Sequence, residues 1–187
     1  MWTMPPEWQL HTATWMGFPT SAYDTAGVSD DDVFDAWAQV ANTISEHEPV
    51  HMLCHPGQLT IAQKKLASAV TVHTFEIDDA WIRDSGPTFV TGEHGLGGVD
   101  WVFNGWGDHT AFDWSQDAKV ASHIIELTGA KRLGSDLVNE GGGIHVNGEG
   151  DVLLTRTVQL DPGRNPTATE HTVDAEVHQK VGTERAI

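Results

Sequence analysis

The chain has 187 residues, enough for one ordinary domain with a sizeable core, and 39% hydrophobic content with eight Trp points to a folded protein. Ten basic against 27 acidic residues give a net charge of −17, which argues against nucleic acid or an anionic membrane surface as partner and suits a cationic ligand or simply an acidic surface. No apolar run approaches the ~20 residues of a membrane span, the start Met1-Trp-Thr-Met-Pro-Pro-Glu7 is not a signal peptide, and the single Cys54 excludes an internal disulfide, so the cytoplasm is the expected compartment.

In chain order, Ser29 is placed to cap a helix over 30–46, with Val33, Trp37, Val40 and Ile44 at helical spacing. Pro49 to Cys54 reads as a buried strand, Gln58 to Ala69 as a helix with Ile61 and Leu66 inward, and Val70 to Ile77 as a second strand. A first hairpin follows Asp84 and returns over Leu96 to Phe103. Ser115 to Leu127 reads as a helix with Val120, Ile124 and Leu127 on one face and a stop at Gly129. Arg132 to Val138 leads into a second hairpin that returns over Asp151 to Thr157. Asp161 to Pro166 is a loop, and Val173, Val177 and Val181 mark a fourth helix ending at Gly182.

The two hairpins repeat each other at an offset of 56 residues. Asp84 falls on Glu140, Gly86 on Gly142, Val90 on Val146, and Gly92-Glu93 on Gly148-Glu149. Such a repeat is one supersecondary unit used more than once in a radial or stacked array. Units related by rotation bring equivalent positions to one axis, so Asp84 and Glu140 are expected to face one small space, with glycines keeping the approach open. Two carboxylates aimed at one space clamp a cation. The alternative for the Asp78-Asp79 to Asp84 cluster, with Arg83 inside it, is a strand-end turn with a surface ion pair. Trp81 and Trp106 can each offer a face to a cation or pack in the core.

Other polar residues carry less. His51, Cys54 and His55 have zinc-like spacing but straddle a strand and have no second ligand pair downstream, so no metal or cofactor is expected. Strand alternation sets His145 on the face opposite Glu140. Cys54 reads as an inert core thiol, and Glu93 and Glu149 as solvent-facing turn residues.

Four segments together resemble the agmatine deiminase and bacterial-type peptidylarginine deiminase family: Met4-Pro-Pro-Glu-Trp8 with His11 to Pro19, Asp78 to Phe89, Gly98 to Gly107, and Asn139 to Gly150 with Gly163-Arg-Asn-Pro166. They occur in family order across nearly the whole chain. The resemblance implies an α/β propeller of five pseudo-symmetric units and hydrolysis of a guanidinium to a ureido group and ammonia, as from agmatine to N-carbamoylputrescine in putrescine biosynthesis. It matches Asp84 and Glu140 to the family's guanidinium clamp and Trp81 to a pocket-lining Trp. Carboxylates suit this role because a planar fork of donors pairs bidentately with them. The family's nucleophilic Cys and general-base His lie in late segments that match nothing here, and Asn147 stands where the family's hairpin has Asp. The expectation is therefore an incomplete α/β propeller, about three of five units, with 1–187 the N-terminal part of one truncated deiminase domain. Peptidylarginine is the rival substrate, and a non-catalytic guanidinium-binding fragment the rival of another class. Apolar helix faces left uncovered around Val173 to Ile187 give the further expectation of self-association.

Overall fold

The computed structural model describes residues 1–20, 27–108 and 113–187. Its strands are β1 (Trp2–Thr3), β2 (Thr14–Gly17), β3 (Val50–Cys54), β4 (Val70–Thr74), β5 (Thr88–Gly92), β6 (Gly95–Val102), β7 (Lys131–Val138), β8 (Ile144–Val146), β9 (Asp151–Leu154) and β10 (Arg185–Ala186). The longer helices are α1 (Asp30–Ser45), α2 (Leu59–Lys65), α3 (Val120–Thr128) and α4 (Glu170–Val181). The chain divides into two compact units, Leu10–Ile82 and Met1–Gln9 with Arg83–Ile187.

In the first unit, β2, β3 and β4 form a parallel sheet in that order, each crossover made by a helix. Ser29 starts α1 through a capping box: its hydroxyl accepts from Asp32 N–H while the Asp32 carboxylate accepts from Ser29 N–H. The buried face of α1 is Val33, Phe34, Ala38 and Ala41, and Val40 is 51% exposed. The expected stripe through Val40 is thus rotated, because small Ala38 and Ala41 let the helix lie close on the sheet beside Phe18, Val50, Met52 and Cys54.

The second unit holds two sheets, β1-β5-β6-β7 and β10-β9-β8. The β5–β6 hairpin is antiparallel, and α3 carries the chain back to lay β7 parallel to β6. The β8–β9 hairpin is likewise antiparallel, and α4 returns the chain to lay β10 parallel to β9. A ββαβ unit therefore occurs twice with the same strand order, and the sequence repeat covers its opening hairpin. Equivalent Val90 and Val146 are both buried in the core that Trp101, Ile144 and Val152 share with Val173, Val177 and Val181 of α4. The apolar stripe of α4 is thus covered inside this unit. Gly129 and Gly182 end α3 and α4 with φ of 67° and 71°, left-handed values at which glycine has no Cβ penalty.

Two expectations need correction. Leu127 is exposed, and Ala121 and Ile125 complete the buried face of α3 instead. The strand expected to Thr157 stops at Leu154, and Arg156–Gln159 makes one helical turn. The outer edge of β7 is closed by side chains: Lys180 Nζ donates to Gly134 O at 2.6 Å, and Asn165 both donates to Val138 O at 2.9 Å and accepts from Val138 N–H at 3.0 Å.

Candidate guanidinium-binding site

Each acid of the repeat stands just before the first strand of a ββαβ unit. Asp84 lies in the one-turn helix Ile82–Ser85 that leads into β5, and Glu140 follows β7 and opens the 3-10 turn Gly141–Gly143 that leads into β8. Asp84 reaches the turn that Glu140 opens: Gly142 N–H donates to Asp84 Oδ1 at 3.3 Å, and the Asp84 charge acts on the Glu140 carboxyl. A Cβ at Gly142 would lie 2.9 Å from that same oxygen, and one at Gly141 only 2.3 Å from the Arg83 carbonyl oxygen. Glycine is needed at Gly141, where two backbone segments approach more closely than a methyl group allows, whereas at Gly142 the atom met is the end of the Asp84 side chain.

The two carboxylates are held differently. Asp84 is half-buried, and its Oδ2 accepts from the Trp106 indole N–H at 3.1 Å. Glu140 is only 3% exposed, and Arg164 Nε donates to its Oε1 at 2.8 Å and its Oε2 at 3.1 Å. Burial pushes the Glu140 carboxyl above its ordinary range, Arg164 opposes that rise, and the nearby Asp84 charge adds to it. Glu140 thus already holds a guanidinium, supplied by the chain itself.

Trp106 sits in an unusual backbone. Gly105, Trp106, Gly107 and Asp108 have φ of 65°, 59°, 89° and 57°, a left-handed turn that costs the non-glycine residues about 1–2 kcal/mol each. Asn104 compensates in part, its Oδ1 accepting from Gly107 N–H at 2.8 Å. Gly105 admits the Trp114 ring, which a Cβ would meet at 2.3 Å. The Trp106 ring meets Phe103 edge-on at 5.2 Å, so it both packs and directs its N–H onto Asp84.

Trp81 belongs to the unit Leu10–Ile82, where it is 40% exposed and meets Trp37 edge-on at 6.2 Å. His145, Glu93 and Glu149 are exposed. His51 stacks on Trp15 at 4.7 Å and shares a 2.9 Å hydrogen bond with His73, and among the described residues no group of three or more His, Cys, Asp or Glu side chains could hold a metal ion. Cys54 is fully buried, and burial pushes its thiol up to about 11. At pH 7 only about one molecule in ten thousand would carry the thiolate. Native Cys54 is therefore expected to resist a disulfide reagent until the chain is unfolded; rapid stoichiometric labelling of the folded chain would contradict this.

The sequence places Arg164 and Asn165 in a loop and in a segment that carries the family resemblance, without assigning either a contact at the site. Asp161 Oδ1 shapes that loop by accepting from Gly163 and Arg164 N–H at 2.9 and 3.1 Å, an Asx-type turn. The signal was the Asp-Pro-Gly run at its head. Which carboxylate Arg164 reaches is a long-range fact that no local pattern carries.

An α/β protein with a recurring ββαβ unit and a carboxylate at each equivalent position, on turns joined by a hydrogen bond, is the class these features define. The chain matches the Porphyromonas-type peptidyl-arginine deiminase family over residues 3–187 and belongs to it. A Streptomyces coelicolor protein assigned as an agmatine deiminase is 50% identical over 98% of this chain and 55% of its own length. A Streptomyces avermitilis counterpart is 47% identical over 98% of this chain and 54% of its own length. The solved agmatine deiminase of Enterococcus faecalis superposes with a TM-score of 0.92 at 33% identity, covering 99% of this chain and 52% of that one. The chain spans about half the length of the curated relatives it matches. Among the described residues no helix is long and apolar enough to cross a membrane.

Proposed function

We propose that this chain forms the guanidinium-binding part of an agmatine deiminase-type hydrolase. The observation that carries the reading is the hydrogen bond from Gly142, two residues after Glu140, to Asp84 Oδ1, which ties the turns carrying the two acids to each other. Asp84 is the arm that contacts the substrate's guanidinium. Glu140, compensated by Arg164, adds a fixed acceptor edge. Arg164 offsets charge on the Glu140 side, whereas two neighbouring carboxylates with no cation between them would repel. Trp106 directs Asp84 through its indole N–H. The names of the relatives favour agmatine over peptidyl-arginine, with N-carbamoylputrescine and ammonia as products and the cytoplasm as the setting. The recurring ββαβ unit supports reading the fold as consecutive units of a five-unit α/β propeller.

The attack on the guanidinium carbon needs a thiolate, and buried Cys54 does not provide one. The 187-residue chain is therefore expected to bind agmatine by calorimetry and to release no ammonia from it. Absence of binding would overturn the site, and ammonia release abolished by Cys54→Ser would overturn the assignment of Cys54 as inert.

A further inference from the structure

Arg164 offers a guanidinium of the same shape and charge as the ligand the site is proposed to take. Its side chain is 10% exposed and that of Glu140 4%, so the pair is closed off from water and its geometry is set by the protein. Arg164 Nε lies within hydrogen-bond distance of both Glu140 oxygens, and its Nη1 lies 3.6 Å from Asp161 Oδ1. The loop that presents it is tied down on both sides. Asn165 pairs with the Val138 backbone two residues before Glu140, and Gly163 O accepts from Asn104 Nδ2 at 3.0 Å, on the segment that leads to Trp106. One loop therefore reaches the supports of both carboxylates.

We propose that Arg164 is a positioning residue that occupies the guanidinium position of Glu140 from within the chain, so that Glu140 is a fixed acceptor and Asp84 is the arm that meets an added cation. The inference rests on the guanidinium reading given above. A carboxylate this buried needs a charged partner to keep it ionised, and this partner is also planar: Arg164 turns its Nε to Glu140 and its Nη1 toward Asp161, so one rigid plane spans two carboxylates. A point charge such as an ammonium supplies the charge only. The position should therefore discriminate between cations of equal charge.

Arg164→Ala empties the position in the 187-residue chain while leaving Glu140 in place. Thermal unfolding of this variant and of the native chain is followed in low-millimolar guanidinium chloride and, separately, ammonium chloride at equal ionic strength. The expected result is that guanidinium raises the midpoint of Arg164→Ala by more than it raises that of the native chain, and that ammonium does not. Equal action of the two cations on Arg164→Ala overturns the proposal. Should that variant fail to fold, Arg164→Lys decides: it keeps the charge and loses the planar group that spans Glu140 and Asp161. Carbon-13 titration of the Glu140 carboxyl is then expected to show a proton affinity roughly tenfold higher than in the native chain, one pH unit, and an unchanged midpoint overturns the proposal. Failure of the guanidinium reading itself looks different: agmatine leaves the native chain unmoved, while guanidinium still restores Arg164→Ala.

Discussion

Asp84→Asn is expected to weaken agmatine binding by roughly tenfold to a hundredfold. The change keeps the side-chain shape and removes the charge of the arm that meets the cation; a hydrogen bond to a charged group contributes ~1.5–3 kcal/mol, and each ~1.4 kcal/mol is tenfold in affinity. Glu140→Gln should divide its effect differently. Its Arg164 partner is 10% exposed, so the substitution strands a nearly buried guanidinium, and breaking a buried pair from one side costs about 3–5 kcal/mol of stability. Calorimetry with agmatine and urea unfolding of the same two variants separate the cases: affinity falls most in Asp84→Asn, stability most in Glu140→Gln. Glu93→Gln and Glu149→Gln, exposed in their hairpin turns, should change neither. Loss of affinity in the turn variants equal to that in Asp84→Asn would mean that the wrong acids have been chosen. Acidification gives a further sign. Burial raises the Glu140 carboxyl above its ordinary value of 4.5, so on lowering the pH the ionised acceptor edge is lost above that value, and affinity for a cation falls with it.

What the sequence carried, it carried through local chemistry. Ser29 with Asp32, and Gly129 and Gly182 at helix ends, are signals that act within one turn of helix, and the structure places helix boundaries at or within a residue of them. The buried face of α1 was less legible because two apolar sets diverge beside Val33, one through Trp37 and Val40 and one through Phe34, Ala38 and Ala41. Hydrophobicity favours the first. Packing on the sheet selects the second, since alanine permits the closer approach. The left-handed turn at Trp106 had a partial signal in its flanking glycines, but a non-glycine residue at positive φ is held only by its surroundings, here Asn104 and Trp114.

The candidate site divides along the same line. Asp84 and Glu140 stand out as candidates because the repeat is a property of the sequence, and an acid near a glycine at both copies restricts where each can point. The partners of each acid were not. Trp106 reaches Asp84 over 22 positions and Arg164 reaches Glu140 over 24, separations at which no spacing rule applies. This is why one carboxylate of an expected symmetric clamp is already engaged by the chain. A sequence repeat fixes equivalent backbone positions, and the side chains brought in by non-repeating loops decide the chemistry at each.

Gly141→Ala tests how tightly those backbone positions are coupled. The added Cβ would stand 2.3 Å from the Arg83 carbonyl oxygen, far inside van der Waals contact, and the atom it meets is backbone. Relief requires one of two held segments to move. The Arg83 carbonyl belongs to the turn that carries Asp84. Gly141 begins the turn pinned by Gly143 N–H on Glu140 O at 2.8 Å and by Thr155 N–H on Gly143 O at 3.0 Å. Overpacking typically costs about 1–3 kcal/mol, and with backbone on both sides the loss of stability should lie at the upper end, accompanied by loss of agmatine binding as Asp84 and Glu140 are pushed apart. Gly142→Ala is a graded comparison, because its Cβ meets the end of the Asp84 side chain at 2.9 Å. That carboxylate can rotate away, so the expected cost falls on binding more than on stability. Gly134→Ala supplies the baseline, since nothing lies within 4 Å of its Cβ. Urea midpoints ordered Gly134→Ala, Gly142→Ala, Gly141→Ala from most to least stable are the expected outcome. A Gly141→Ala chain as stable as Gly134→Ala, with agmatine affinity intact, would show that the two turns move independently and that the two acids are not held at a fixed separation.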